Sequence, residues 1–174
     1  MLPQAPEDRR IWGVMAAVYV ADQLSKLAVL RFIGPWDERE VIAGFFKLVH
    51  WGNTGAAWSL FTGNNGLLAL VSVVALVVLY LTRERFEPQS LTGQAALGLI
   101  FGGILGNLTD RLRVGHVIDF LRFYLVRRGD GAEVGFPAFN VADSAICVGV
   151  GLLLLRALSQ GLRTRGGPAL TGPI

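Results

Sequence analysis

Asp119 and Asp143 are the residues of this chain best placed to do chemistry. Asp119 falls in the apolar segment His116-Val117-Ile118-Asp119-Phe120. Asp143 sits about one turn into an apolar run that starts near Phe139, and neither acid has an obvious basic neighbour in sequence. An acid in such surroundings must find a partner or bind its proton more tightly. If the two meet they cannot both ionise cheaply, so one holds a proton while the other accepts one from water, as in aspartic proteases. Peptide hydrolysis then needs no metal. The competing reading has each acid capping a helix or paired with an arginine such as Arg111 or Arg122.

Other polar residues stand in similarly apolar company. Asp22 and Lys26 are spaced i, i+4 within an apolar stretch, where they either neutralise one another on a helix or belong to a site. Asn107 and Arg111 share a helix face one turn apart, and Arg111 could snorkel to the interface or grip a phosphate or a peptide carbonyl. Asn53 and Asn140 lie just outside apolar runs. The histidines, His50 and His116, come without metal-ligand spacing, and the serines lack a G-x-S-x-G setting, so zinc and serine mechanisms are not expected. Cys147, in the apolar run Ala145 to Leu155, reads as a small packing residue.

The elements that must position these groups are membrane spans. Of the 174 residues 52% are hydrophobic and 17% charged, with a mean hydropathy of +0.49, too apolar for an ordinary soluble domain. Apolar runs approaching the roughly 20 residues that cross a bilayer cover about 11–33, 66–81, 92–108 and 139–158. The net charge of +3 comes from basic residues that flank these runs, so a nucleic-acid partner is not expected. The stretch after Arg9-Arg10 continues past any small-residue cleavage site and reads as an uncleaved first helix. Gly98, Gly102, Gly103 and Gly106 give the third span a face on which a neighbour can pack closely. Val41 to Trp51 and Val114 to Val126 are rich in β-branched and aromatic residues and read as short strands or interfacial pieces, the second followed by the turn-like Gly129-Asp130-Gly131. Trp36, Trp51 and Trp58 suit an interfacial belt.

The fold class expected is an all-α membrane protein: four transmembrane helices with a small extracytoplasmic β-platform and interfacial segment, one domain over 1–165 and a disordered tail over 166–174. Loop charge barely distinguishes the two sides; Arg9-Arg10 before the first span favours both termini inside. Because ends of odd spans and starts of even spans share a membrane side, Asp22, Lys26, Asn53, Asn107, Asp110, Arg111, Asp119, Asn140 and Asp143 converge on one surface. Ionisable groups at membrane depth cost roughly 2.5 to 3.5 kcal/mol each on insertion scales, which makes such a cluster a site by default.

At these positions the chain resembles the lipoprotein signal peptidases. The resemblance is carried by Asp22-Gln23-Leu24-Ser25-Lys26, Asn53-Thr54-Gly55-Ala56-Ala57-Trp58, Gly106-Asn107-Leu108-Thr109-Asp110-Arg111, Gly115-His116-Val117-Ile118-Asp119-Phe120 and Phe139-Asn140-Val141-Ala142-Asp143. These blocks stand in the family's order and spacing over nearly the whole chain. The resemblance implies that Asp119 and Asp143 are the catalytic aspartates. It implies that Asn53, Asn107, Arg111 and Asn140 line the substrate site and support the dyad, and that Asp22 and Lys26 belong to the same polar set. It further implies a diacylglyceryl-modified prolipoprotein substrate cut on the N-terminal side of the lipid-bearing Cys, inhibition by globomycin-type cyclic lipopeptides, membrane lipid as the surrounding partner, a monomer, no cofactor, and a bacterial inner-membrane location. Ser59, where a Gly is common, and the polar stretch Arg127 to Gly135 depart from the family pattern and bear on loop shape. The reading from another class is a small ion-coupled transporter or channel subunit that relays protons through the same acids; a structural membrane scaffold would leave those acids without a purpose.

Overall fold

In a bilayer a chain must satisfy its backbone hydrogen bonds within each spanning segment, so long apolar runs become helices. The computed structural model describes residues 6–55, 63–86 and 90–165; Ala56, Ala57, Trp58, Ser59 and the tail from Gly166 lie outside the described residues. Among the described residues the helices are α1 (Pro6–Phe32), α2 (Asn65–Thr82, continued by a 3-10 turn over Arg83–Phe86), α3 (Leu91–Val114) and α4 (Val141–Arg165). All four are long and apolar enough to cross a membrane. The apolar window of α3 is 67% buried, against 17% or less for the others, so α3 is the central post.

The glycines of α3 explain how. An added Cβ at Gly98 would stand 2.8 Å from the Ile11 carbonyl oxygen, and one at Gly102 2.8 Å from that of Met15; Gly103 faces Ala142 of α4 instead. Backbone-to-backbone approach of this kind replaces the hydrophobic driving force that lipid cannot supply. The α3 helix runs past the expected end at Leu108 to Val114. Its polar last turns remain helical because Asn107 and Asp110 bond inward, and Gly115 closes it in the left-handed conformation at φ 80°. In α4, Ala145 and Gly149 point inward, which puts Cys147 on the exposed side. Cys147 is therefore not the packing residue expected, since two residues along a helix turn the side chain about 200°.

The expected strand segments are both strands, and the sheet is larger than a platform of two pieces. The first segment folds on itself through Gly44 into β1 (Glu38–Ile42) and β2 (Phe46–Asn53). The second supplies β3 (Val117–Val126), and the stretch after the Gly129-Asp130-Gly131 turn adds β4 (Glu133–Gly135). The order is β1-β2-β3-β4, antiparallel throughout. The all-α expectation thus holds for the spans, with a four-stranded sheet beside them.

On one side of the sheet Lys47 is buried between Glu38 at 2.5 Å and Glu133 at 2.7 Å. Arg122 reaches Glu133 at 3.3 Å and lies 4.5 Å over the Trp51 ring. Arg122 is thereby committed to the sheet, and the two outer strands are tied across the inner ones. Phe46, Phe123 and Phe139 stack in a row. Ile118 and Phe120 of β3 pack on Val29 of α1 and on Ile33 just after it, which fixes the sheet to the end of the bundle.

Candidate active site

The start of α4 builds the site. Just before it, Phe139 bridges to Leu121 in mid-strand, donating to the Leu121 carbonyl at 3.0 Å and accepting the Leu121 amide at 2.8 Å. This adds a short strand-like segment to β3 and lays Asn140 beside Asp119. Asn140 then starts the helix reciprocally: its side-chain oxygen accepts the Asp143 amide at 2.9 Å, and the Asp143 carboxylate accepts the Asn140 amide at 3.1 Å. That is capping-box geometry, and it satisfies amides that the helix start would otherwise leave open.

Asp143 therefore does cap a helix, as the competing reading supposed, yet its other oxygen remains for a second task. Oδ1 accepts from Asn107 Nδ2 at 2.7 Å. Across the site, Asp119 accepts from Asn140 Nδ2 at 2.9 Å and from Asn53 Nδ2 at 3.0 Å. Asn140 thus touches both acids. The Asp119 side chain is buried, whereas Asp143 is half-buried. Burial, with the Asp143 charge second, pushes the Asp119 carboxyl up to about 7, while the two asparagine amides oppose the shift.

The orientation of Asn107 is set from below. Its side-chain oxygen accepts from Lys26 Nζ at 3.0 Å and from Asn140 Nδ2 at 3.1 Å, so a flipped amide would aim its NH2 at an ammonium. The NH2 must face Asp143. Lys26, buried, also meets Asp22 at 2.8 Å and Asp110 at 2.7 Å, which accounts for its three donors. Asp22 accepts the Ala142 amide of α4 at 3.0 Å. Asp110 accepts the Ile118 amide at 3.2 Å and Gln23 Nε2 at 3.0 Å. One buried cluster therefore ties α1, α3, β3 and α4 together. Asp22 and Lys26 do neutralise one another, and they orient the site by the same contacts.

Arg111 donates to the Gly55 carbonyl at 3.2 Å, and its Nε is buried without a partner. Its charge acts on both Asp119 and Asp143 without a direct ion pair among the described residues. Asn65 at the start of α2 holds the Arg111 carbonyl at 3.0 Å. All the residues expected at the site are thus placed at the joined ends of α1, α3, β2 and β3 and the start of α4. Asp110 was expected on this surface but given no role, and Gln23 was not among the expected site residues. The available signal was spacing, since Asp110 is one turn after Gly106 on the glycine face that meets α1. His50 lies outside the cluster, its Nδ1 3.0 Å from the Ile33 carbonyl oxygen.

Known proteins resemble this chain over most of its length. Residues 14–159 match the family model described as signal peptidase (SPase) II. The chain is 38% identical over 158 residues to the lipoprotein signal peptidase of Syntrophotalea carbinolica, covering 88% of this chain and 94% of that one. It is 40% identical over 161 residues to that of Geobacter sulfurreducens, covering 91% and 97%. A solved structure described as a bacterial membrane enzyme superposes with a TM-score of 0.75 at 28% identity, covering 91% of this chain and 92% of that one. A second superposes at 0.70 with 30% identity, covering 83% and 90%. These matches do not support the transporter reading. With Asp119 and Asp143 joined through Asn140 at the end of a helical bundle and a family match over nearly its whole length, the chain belongs to the signal peptidase II family, the aspartic peptidases that process lipoproteins.

Proposed function

We propose that this lipoprotein signal peptidase hydrolyses the peptide bond on the N-terminal side of a diacylglyceryl-modified Cys with Asp119 and Asp143 as its catalytic pair. The observation that carries the assignment is that Asn140 hydrogen-bonds both carboxylates, which holds two acids together at membrane depth. Asp119, the more buried and with a carboxyl near 7, carries the shared proton. Asp143, the more open to water, is the base. Asp143 takes a proton from water as the oxygen attacks the scissile carbonyl carbon, and Asp119 gives its proton to the carbonyl oxygen. On collapse the diol returns a proton to Asp119, the C–N bond breaks, and the amine leaves with the proton held by Asp143.

Asn107 and Asn140 hold Asp143 and Asp119 in place, Asn53 holds Asp119 from the sheet, and Arg111 places its positive charge beside both acids at the substrate site. Asp22 and Lys26 support the dyad through Asn107. Acyl chains on the Cys set the depth of the scissile bond, so the bilayer acts as the ruler. The dyad then lies near the extracytoplasmic face of the inner membrane, with both termini cytoplasmic and the sheet over the outer surface. The enzyme works as a monomer surrounded by lipid, and a globomycin-type lipopeptide occupies the space between the acids. The test is cleavage of a diacylated prolipoprotein by Asp119→Asn and Asp143→Asn. Each is expected to lose at least about a thousandfold in kcat, in the range of lost catalytic acid–base groups. Substantial turnover by either variant would sink the assignment.

A further inference from the structure

Asp110, in the last turns of α3, makes no hydrogen bond to either catalytic acid among the described residues, yet its contacts lead to both. Its side chain is buried. Oδ2 accepts the Ile118 amide at 3.2 Å and meets Lys26 Nζ at 2.7 Å, while Oδ1 accepts Gln23 Nε2 at 3.0 Å. Ile118 is the residue before Asp119, and its carbonyl accepts Asn140 Nδ2 at 3.3 Å. The start of β3 is therefore clamped on both sides, its amide by α3 and its carbonyl by the residue that starts α4. Along the other branch Lys26 donates to Asn107 Oδ1 at 3.0 Å, and Asn107 Nδ2 donates to Asp143 at 2.7 Å. Gln23 also donates to the Gly106 carbonyl at 3.3 Å, so the amide that turns the Asp110 carboxylate is itself held by α3.

We propose that Asp110, turned by Gln23, is a positioning residue for peptide-bond hydrolysis, its Oδ2 fixing the two catalytic aspartates relative to one another. This role rests on the reading of Asp119 and Asp143 as the dyad. A carboxylate is needed at this point because every neighbour is a donor: an ammonium, a backbone N–H and a side-chain NH2. An Asn in its place must turn its own NH2 toward Gln23 or toward Lys26 and the Ile118 amide. Lys26 would keep Asp22 at 2.8 Å, so the cation stays paired. What goes is the one atom shared by the branch to Asp119 and the branch to Asp143. A shift of about 1 Å in a reacting group can cost up to about a hundredfold in rate. The second consequence is electrostatic. Asp119 feels the charges of Asp143, Lys26 and Arg111, and the Lys26 charge draws its carboxyl down. With the Asp110 charge removed, less of the Lys26 charge is offset, and Asp119 gives up its proton at lower pH.

The test is cleavage of a diacylated prolipoprotein across pH by the purified full-length Asp110→Asn enzyme, beside its thermal unfolding. Its kcat is expected to fall about tenfold to a hundredfold with KM within about twofold. The alkaline limb of kcat/KM, set by loss of the Asp119 proton, is expected to move down by about half a pH unit. Gln23→Met keeps the Asp110 charge and removes the amide that turns it. It is expected to lower kcat about fivefold with the alkaline limb in place, and it carries the test if Asp110→Asn does not fold. A normal kcat in either folded variant overturns the proposal. So does an unmoved alkaline limb in Asp110→Asn, or a loss that falls wholly in KM or Tm, which would make Asp110 a structural tie. Substantial turnover by Asp119→Asn or Asp143→Asn would overturn the dyad and this role together. Inactive dyad variants beside a normal Asp110→Asn enzyme would overturn the role of Asp110 alone.

Discussion

The buried ammonium of Lys26 joins the packing of the bundle to the geometry of the candidate site. It lies between the carboxylates of Asp22 and Asp110 and also dictates which way the Asn107 amide points. Lys26→Met would leave those carboxylates without their cation, at a cost of about 3 to 5 kcal/mol for a broken buried pair. The expected result is a lower Tm in detergent together with a fall in kcat larger than any change in KM, since Asn107 loses what orients it toward Asp143. A normal kcat in the folded variant would remove Lys26 from the set that supports the dyad. Asp119 makes a second prediction at this scale. Its carboxyl is raised from 3.8 to about 7, so the folded chain holds that proton more tightly than the unfolded chain does. Its contribution to stability is fully present below about pH 4 and is lost as pH rises through 7. Tm is expected to decline over that window in the native enzyme, and Asp119→Asn is expected to flatten the decline.

At the scale of elements, α3 decides where the acids stand. Gly98, Gly102 and Gly106 repeat at intervals of four on the face that meets α1, while Gly103 and Ala142 close the contact with α4. The Cβ of any other residue at Gly102 would meet Val18 at 2.7 Å as well as the Met15 carbonyl. Gly102→Leu is therefore expected to push α1 from α3 and to destabilise the bundle by about 1 to 3 kcal/mol or more, the cost of overpacking. The same displacement moves Asp22 and Lys26 and lowers activity. Thermal unfolding and prolipoprotein cleavage of the purified variant test both parts, and unchanged stability would count against close α1–α3 packing. The sheet works differently: the Lys47, Glu38, Arg122 and Glu133 cluster joins its strands, and the Phe139–Leu121 bridge carries Asn140 to Asp119.

Over the whole molecule, the polar residues gather at one end of an otherwise apolar bundle, while the basic groups near Trp12 and Tyr80 mark the other. The proposed topology, with both termini cytoplasmic, turns the dyad end outward. A topology reporter fused after Gly166 is expected to be active only as a cytoplasmic fusion, and one inserted at Gly129 only as an external one. The reverse pattern would turn the enzyme over and remove its access to a translocated substrate.

Apolar length, the Asp119 and Asp143 pair, and the alternation that puts polar residues on one side were all readable along the chain, because each depends on residue type and local spacing. The family motifs named the asparagines and Arg111 as well. Three features were not readable: the reciprocal cap that makes Asp143 both a helix starter and a site acid, the Lys26 contact that orients Asn107, and the part played by Asp110 and Gln23. Each depends on atoms brought within about 3 Å from segments far apart in sequence, and local pattern carries no information about such contacts until the helices pack. Cys147 shows the same limit in reverse. Its apolar neighbours suggested an inward position, and only the packing of Ala145 and Gly149 turned it to the outside.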